Sequence, residues 1–543
     1  MNKSVRRIVI FSIISLIVML SCYILSNRKT NRYNIILIVF DTFRRDFISY
    51  CNHNSIIETP HIDCFLQNSI EYINAYTRNT YTLPSHTTML SGLTPRKHGI
   101  RKNGQILDHS LTTVPELLNI GGYKTAALYE IAALSEPSGF SSGFDVFENC
   151  QIQNGPTIAH ISNWLQTTGD KPYFLFINLS TVHVSRTLPQ NISPLTVGFL
   201  DGPYYDMRAN RELETVNLLL PPGKSILTFK AKRPSFPGIV NPQPLEIALW
   251  DFRIRPVSHL TYSWSPSVQH AERVEYLVFP PEWTENDIIF RNATELILTN
   301  NSSDTTLATI QFRSYPNYSK DLEGDRMQYA LSVQTTDSLL GELVKTIKQH
   351  TNPNKTAIIL TSDHGEGLED HRDRLHGHEV YEESARVPLG ILIPRRKPEK
   401  RIGLVPLDAI APTILDMARI AIPPEMYPHS LADKRMHGED FLVSETFLEP
   451  YASQLEPLSD DYSVRSDIYS LVHDHRVRHS LIFDRVRDPM EKADVSDSLD
   501  GIRHMYETEY ADYSRNQQQG AYQSLESDDP QLIEALRKLG YVE

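Results

Sequence analysis

The sequence predicts an α/β fold in which helices sandwich a mostly parallel sheet, with an inserted antiparallel β-sandwich and a small C-terminal α+β subdomain. Three observations predict it. Apolar runs without internal charge, at residues 34–40, 173–179 and 356–361, read as strands buried on both faces, as in a parallel sheet. Helical patterns at 113–120, 155–165, 327–349 and 406–420 alternate with such runs, and 125–128 is a further short strand. From about 203 to 315 the rhythm changes to Pro-rich, short alternating segments at 225–231, 245–254, 273–279, 287–290, 295–298 and 305–312. Turn signals such as Pro221-Pro222-Gly223 and Asn300-Asn301-Ser302 separate them, which is antiparallel spacing.

The elements order the 543 residues into 1–30, an N-terminal membrane anchor or signal, and 31–202, the first part of the α/β unit. The β-sandwich insert follows at 203–315, then the second part of the α/β unit at 316–435 and the C-terminal subdomain at 436–543. The last carries short strands at 469–472 and 479–483 and amphipathic stretches near 500–525 and 530–540. The insert reads equally as a carbohydrate-binding jelly roll or as a structural module.

Lys3, Arg6 and Arg7 precede an almost unbroken apolar run at 8–25, closed by Ser26-Asn27-Arg28-Lys29. That is close to the length of one bilayer span, and it lacks the polar stripe of a core helix. Leu20-Ser21-Cys22 partly resembles a lipoprotein cleavage site, but the run continues past Cys22 and favours a retained single-pass anchor with the bulk of the chain outside the cytoplasm. The net charge of −13, with both signs mixed, argues against a nucleic-acid partner. Cys51, Cys64 and Cys150 are no disulfide framework; one bridge is possible and none is required. Asn178, Asn191, Asn292, Asn317 and Asn354 fit the glycosylation pattern, with chance occurrence the default.

The chemistry gathers at strand ends, where open α/β sheets bind ligands. Asp41 closes the first strand, Asp363-His364 closes the strand at 356–361, and Thr82 opens a helical pattern. Two carboxylates, an imidazole and a hydroxyl suit one divalent cation, and a hydroxyl needs such activation to act as a nucleophile near neutral pH.

The residues Asp41-Thr42-Phe43-Arg44-Arg45-Asp46, Thr82-Leu83-Pro84-Ser85-His86, Leu90-Ser91-Gly92, Ser362-Asp363-His364-Gly365-Glu366 and Tyr381-Glu382-Glu383 follow one another in a recognisable order. So do Asp408-Ala409-Ile410-Ala411-Pro412 and Asp488-Pro489-Met490-Glu491. The order resembles the sulfatase branch of the alkaline phosphatase superfamily, over roughly 33–185 and 322–543. The resemblance implies an alkaline-phosphatase-like fold and a metal bound by Asp41, Thr82, Asp363 and His364, with Thr82 as nucleophile. It implies His183 near the leaving group, and His376 and His378 near the substrate, His378 being the preferred catalytic choice. Lys102 and Asn103 are candidate contacts for nonbridging oxygens. Asp337 resembles a helical aspartate of the family rather than a second-metal ligand, and Arg45 and Asp46 resemble its buried pair.

Two departures matter. Typical members carry Cys or Ser in the nucleophile slot, converted to formylglycine and followed by x-Pro-x-Arg; here Thr82 cannot become formylglycine and His86 replaces the arginine. Thr42 replaces a second aspartate, which weakens the case for calcium and leaves manganese, zinc and magnesium open. A threonine ester cannot collapse to an aldehyde, so water must attack it. The reading is a membrane-anchored hydrolase of sulfate, phosphate or phosphonate esters carried on a small molecule, glycan or lipid. The alternatives are a transferase passing the group to a lipid or glycan alcohol, and an inactive glycan-binding relative.

Overall fold

A computed structural model describes residues 32–182, 322–517 and 523–524, the strands between 195 and 317, and Pro222 and Ser303 between those strands. Within these spans 53–54, 56, 151–156, 372, 374, 437, 448–460 and 476–479 are not described. The apolar segment 8–25, His183, Asn191, Asn292, the strand expected at 273–279 and the stretch at 530–540 lie outside the described residues. Among the described residues no helix is long and apolar enough to cross a membrane.

The fold class is the predicted one, but the antiparallel insert begins before the expected residue 203, since Leu195–Phe199 already pairs within it. Strand β1 (Asn34–Phe40) lies at the centre of a mixed, mostly parallel sheet. Helix α1 (Pro60–Gln67) precedes β2 (Ile70–Tyr76), and α2 (Thr82–Ser91) follows it. Then come α3 (Val114–Ile120), β3 (Lys124–Tyr129), β4 (Val146–Asn149), α4 (Thr157–Thr167) and β5 (Tyr173–Leu179). After the insert the unit resumes with α5 (Leu322–His350), β6 (Thr356–Ser362), β7 (Arg386–Val387), β8 (Leu389–Leu392), β9 (Glu399–Pro406) and α6 (Ile410–Ala418). The strand order is β7-β2-β8-β6-β1-β5-β3-β4, with β9 also pairing β2. Pairs β1–β6, β1–β5, β3–β5, β3–β4 and β2–β9 are parallel; β8 pairs antiparallel with β6 and β2.

The uninterrupted apolar run of β1 is explained by its two covered faces. Ile35, Leu37 and Val39 join one core with Val114 and Leu118 of α3 and Ile410 and Ile414 of α6. Ile36, Ile38 and Phe40 join the other with Ile62 and Phe65 of α1, Trp164 of α4 and Leu340 and Leu343 of α5. Alternate side chains of a strand point to opposite faces, so a strand covered on both sides has no polar positions to spare.

The strands between 195 and 317 pair antiparallel into two five-stranded sheets. One holds Leu260–Trp264, Ala293–Asn300, Gly223–Ala231, Leu195–Phe199 and Tyr204–Met207; the other holds Gln269–His270, Ile288–Arg291, Glu246–Arg255, Thr306–Asn317 and Leu213–Leu220. A separate antiparallel sheet of β10 (Leu442–Thr446), β11 (Asp461–Arg465), β12 (Tyr469–His473) and β13 (Leu481–Asp484) carries helix α7 (Asp500–Asn516).

Asn178 is wholly buried within β5, in keeping with a chance occurrence of its glycosylation pattern. One local expectation is corrected. The buried pair after β1 is Arg44 with Asp46, at 2.7 Å, and Arg44 also meets Asp370 at 2.6 Å; Arg45 turns instead to Glu71 at 2.7 Å. Cys51, Cys64 and Cys150 are free thiols.

Candidate active site

The parallel register delivers the site. Phe40 is paired with Ser362 on one side and Leu179 on the other, so Asp41 and Asp363 leave the sheet next to each other. Asp41 N donates to Leu179 O at 2.9 Å and Asp363 N to Phe40 O at 3.2 Å, extending the ladder by one rung. The backbone then turns sharply. Thr42 sits at φ 56°, a left-handed conformation that is costly for a β-branched residue. It is held there because Thr42 N donates to Asp363 Oδ1 at 3.0 Å and the Tyr329 hydroxyl donates to Thr42 O at 2.6 Å.

Asp363 Oδ1 accepts a second backbone bond, from His364 N at 2.8 Å, so the carboxylate is locked by one oxygen. The other oxygen, Oδ2, is buried and accepts no hydrogen bond from the described residues. Burial pushes the Asp363 carboxyl up to about 7. His364 Nδ1 lies 2.9 Å from Gly365 O and must donate to it, which leaves Nε2 as the lone-pair nitrogen of the neutral ring. Burial lowers this imidazole to about 4.

Helix α2 is buried along its whole length and starts at Thr82, with Tyr81 extended at its N-cap. Thr82 Oγ1 is 3.4 Å from Asp41 Oδ1 and 3.4 Å from His364 Nε2. The ligand atoms of Asp41, Asp363 and His364 all lie within 4.8 Å of one another, and all three residues are buried. The structure thus brings together the four residues the sequence nominated. Two crowded carboxylates, one with a buried oxygen lacking a donor, beside a neutral imidazole presenting its lone pair, fit a divalent cation. The Thr42 hydroxyl is buried without a hydrogen-bond partner among the described residues, so the slot of the family's second aspartate contributes no charge.

Asn103 stands at the start of α2. Its Oδ1 accepts from Leu83 N at 2.7 Å, and its buried Nδ2 meets no acceptor among the described residues. Lys102, one residue earlier, is half-buried, and its backbone N–H donates to Gln105 Oε1 at 3.3 Å. His86, in the arginine slot, is fully buried against Phe140 and Phe176. Its Nδ1 donates to Thr82 O at 2.8 Å, its Nε2 faces Asn178 Nδ2 at 3.4 Å, and burial lowers it to about 3. A neutral ring therefore replaces a cation and pins the nucleophile's own carbonyl.

The loop carrying His376 and His378 closes over Tyr81. Gly377, at φ 92°, has no room for a side chain, since a Cβ would stand 2.3 Å from the Tyr81 ring. The His376 ring lies 4.6 Å from that of His364, with Nδ1 3.3 Å from Glu366 Oε1. His378 is half exposed, 6.1 Å from the Tyr81 ring, and its Nδ1 is 3.1 Å from Asp373 Oδ2. Burial raises the Asp373 carboxyl, but the bond to His378 outweighs it and holds the acid below its ordinary value. Asp337 accepts from His61 N at 2.9 Å and Ile62 N at 2.7 Å, satisfying the open end of α1.

Sequence reasoning gave no role to Tyr329, Asn178, Glu366 or Asp373. Glu366 and Asp373 had a signal, since both sit beside the nominated histidines. Tyr329 and Asn178 had none; their roles exist only once α5 and β5 are folded against the strand ends.

Known proteins share this architecture. The family described as Sulfatase matches residues 33–420, and the domain described as N-sulphoglucosamine sulphohydrolase, C-terminal, matches 374–509. The chain is 22% identical over 428 residues to arylsulfatase K of Xenopus laevis, covering 73% of this chain and 65% of that protein. It thus spans just under two thirds of that relative's length. It is 22% identical over 508 residues to an N-acetylglucosamine-6-O-sulfatase of Bacteroides thetaiotaomicron, covering 88% and 84%. Its fold is similar to the phosphonate monoester hydrolase of Agrobacterium radiobacter, with a TM-score of 0.58 and 17% identity over 91% of this chain and 97% of that one. With the family matching most of its length and the strand-end residues assembled as described, this chain belongs to the sulfatase family.

Proposed function

We propose that this chain is a metal-dependent ester hydrolase that passes an anionic group to Thr82 and then to water, held at a membrane by residues 8–25 with its catalytic part outside the cytoplasm. One observation carries the reading: Thr82 Oγ1, at the start of a buried helix, is 3.4 Å from both Asp41 Oδ1 and His364 Nε2.

Asp41, Asp363, His364 and the Thr82 oxygen would hold the cation. When bound, such an ion lowers the pKa of the hydroxyl it contacts and attracts an anionic ester. The remaining steps fall to side chains. Thr82 Oγ gives up its proton to solvent and attacks the sulfur or phosphorus, a Thr82–O–S or –P bond forms, and the bond to the ester oxygen breaks. The departing oxygen takes a proton from His378, whose Nδ1 is oriented by Asp373 much as a carboxylate orients a catalytic imidazole. His183, just past β5, is the second candidate for that proton. Asn103 Nδ2 and the Thr82 N–H suit the nonbridging oxygens, with Lys102 and His376 beside them. Water then attacks the same sulfur or phosphorus, regenerating the Thr82 hydroxyl, and no formylglycine takes part.

The chemistry of a threonine ester favours a phosphate or phosphonate ester, and the phosphonate monoester hydrolase likeness supports that arm. The N-acetylglucosamine-6-O-sulfatase relative supports a sulfated glycan. A rate panel decides: an aryl sulfate, aryl phosphate monoester, aryl phosphodiester and aryl phosphonate, each with and without manganese, calcium, magnesium and zinc, with Thr82→Ala as control. Turnover that needs metal and disappears in Thr82→Ala is expected. Turnover that survives in Thr82→Ala would remove the nucleophile assignment, and none on any ester would remove the hydrolase reading.

A further inference from the structure

The parallel sheet has two ends, and the site occupies only one of them. At the other end β1, β3, β5 and β6 begin, tied together by Asn34 N donating to Lys355 O at 2.7 Å and Lys124 N to Pro172 O at 3.0 Å. The pairings Asn34 with Thr356, Ile35 with Phe174, and Lys124 with Tyr173 set these starts side by side. They bring Arg32, Lys124, Lys171 and Lys355 to one edge, and Lys348, in the last turn of α5, joins them just before β6. The acidic groups near this edge include Asp145, which accepts from Asn119 and from Thr125 N, Asp170, and Asp416, which pairs with Arg419 at 3.8 Å just before Ile420, the side chain against Gly121. In a chain of net charge −13 this end is locally basic.

The same end carries Ile120, which at 85% is the most exposed large apolar side chain among the described residues. Its neighbour Gly121 offers its carbonyl to Arg32 Nη1 at 2.7 Å, and Arg32 also lies over the Tyr123 ring. The chain is therefore fastened beside Ile120 immediately after the segment that leads from the apolar run. That segment, 26–31, contains Arg28 and Lys29, and its length limits Arg32 to within about 25 Å of the end of the run.

We infer that the strand-start end of the sheet, which presents Ile120 together with Arg32, Lys124, Lys171, Lys348 and Lys355, docks on an anionic lipid surface, so that the catalytic end points away from the bilayer. This rests on the reading of residues 8–25 as an anchor. β1 is seven residues long, so with the strand upright on the surface the site stands about 23 Å from the docking face. A headgroup of the anchoring membrane then lies out of reach of Thr82, and the ester acted on is carried by a soluble molecule or a polymer extending from the surface.

The test uses the full chain reconstituted in vesicles of phosphatidylglycerol and phosphatidylcholine that contain a headgroup nitroxide quencher. A fluorescent non-natural amino acid replaces Ile120 in one preparation and Leu375, in the loop over the site, in another. Quenching at position 120 and none at 375 is expected. Each basic residue near such a surface is worth roughly fivefold in partitioning. Lys171→Glu with Lys355→Glu, both exposed, should therefore shift the docked fraction at position 120 by more than about tenfold, as should a change to pure phosphatidylcholine. Carbonate extraction separates the two readings. If the chain resists carbonate while position 120 is unquenched, or 375 is the quenched one, the docking face is wrong and the anchor stands. Release by carbonate removes both.

Discussion

The hydroxyl of Thr82 and the Nε2 of His364 meet at 3.4 Å although 282 residues separate them in the chain. The meeting depends on two fixed elements: a helix whose buried N-terminus begins at Thr82, and a β6 end whose His364 ring is set by the Gly365 carbonyl. Neither atom needs to move for the hydroxyl to donate to the imidazole or to share a cation with it.

Thr82→Ala should lower kcat/KM by at least about 10³-fold while leaving the fold intact, because only the attacking oxygen is lost. Thr82→Ser keeps that oxygen and should retain activity within roughly 10²-fold. Equal activity in the two variants would show that Thr82 is not the nucleophile.

Asp363 links pH to stability with a definite sign. Its folded carboxyl is raised to about 7 from an ordinary value of 3.8. Between those values the unfolded chain has released the proton and the folded chain has not. Metal-free protein should therefore lose stability as pH rises from about 4 to 7. A bound cation needs the ionised form, so added manganese should raise the melting temperature more at pH 8 than at pH 5. Asp363→Asn should remove both effects. Thermal melts across that range, with and without manganese, provide the check; a manganese shift independent of pH would contradict the ligand assignment.

Asn103 separates two roles within one side chain. Asn103→Asp keeps an oxygen for Leu83 N but loses the Nδ2 donor and adds a negative charge. We expect kcat/KM to fall about 10²-fold with the melting temperature nearly unchanged. Loss of stability with intact kinetics would make Asn103 a helix cap and nothing more.

Gly365→Ala should be far more damaging than its size suggests. A Cβ there would stand 1.9 Å from the Glu383 carbonyl oxygen, and the clash is with backbone, so the strand-end loop itself must shift. A cost of about 3 kcal/mol and loss of metal-dependent turnover are expected, measured by chemical denaturation and by rate.

The central strands could be read from the chain because both of their faces are covered. The boundaries read for 34–40 and 173–179 match β1 and β5, since an apolar run with no polar position has a sharp edge where charge or a turn begins. Strands β2, β8 and β9 were not read. Ile70–Tyr76 contains Glu71 and Asn74, and Glu399–Pro406 begins with exposed charges, so their sequences look like surface. What buries Glu71 is Arg45, a partner from another segment.

Sequence alone nominated Asp41, Thr82, Asp363 and His364, because a charge closing an apolar strand run and the onset of a helical pattern are both visible locally. It also marked the basic, apolar N-terminus and the change to antiparallel spacing after 203. Only the tertiary structure decided that Arg44 rather than Arg45 fills the buried pair, that Asn178 faces His86 instead of solvent, and that Tyr329 holds Thr42 in its left-handed turn. Those are contacts between segments far apart in the chain, and whether a polar group is a surface group or a buried partner depends on what the fold places opposite it.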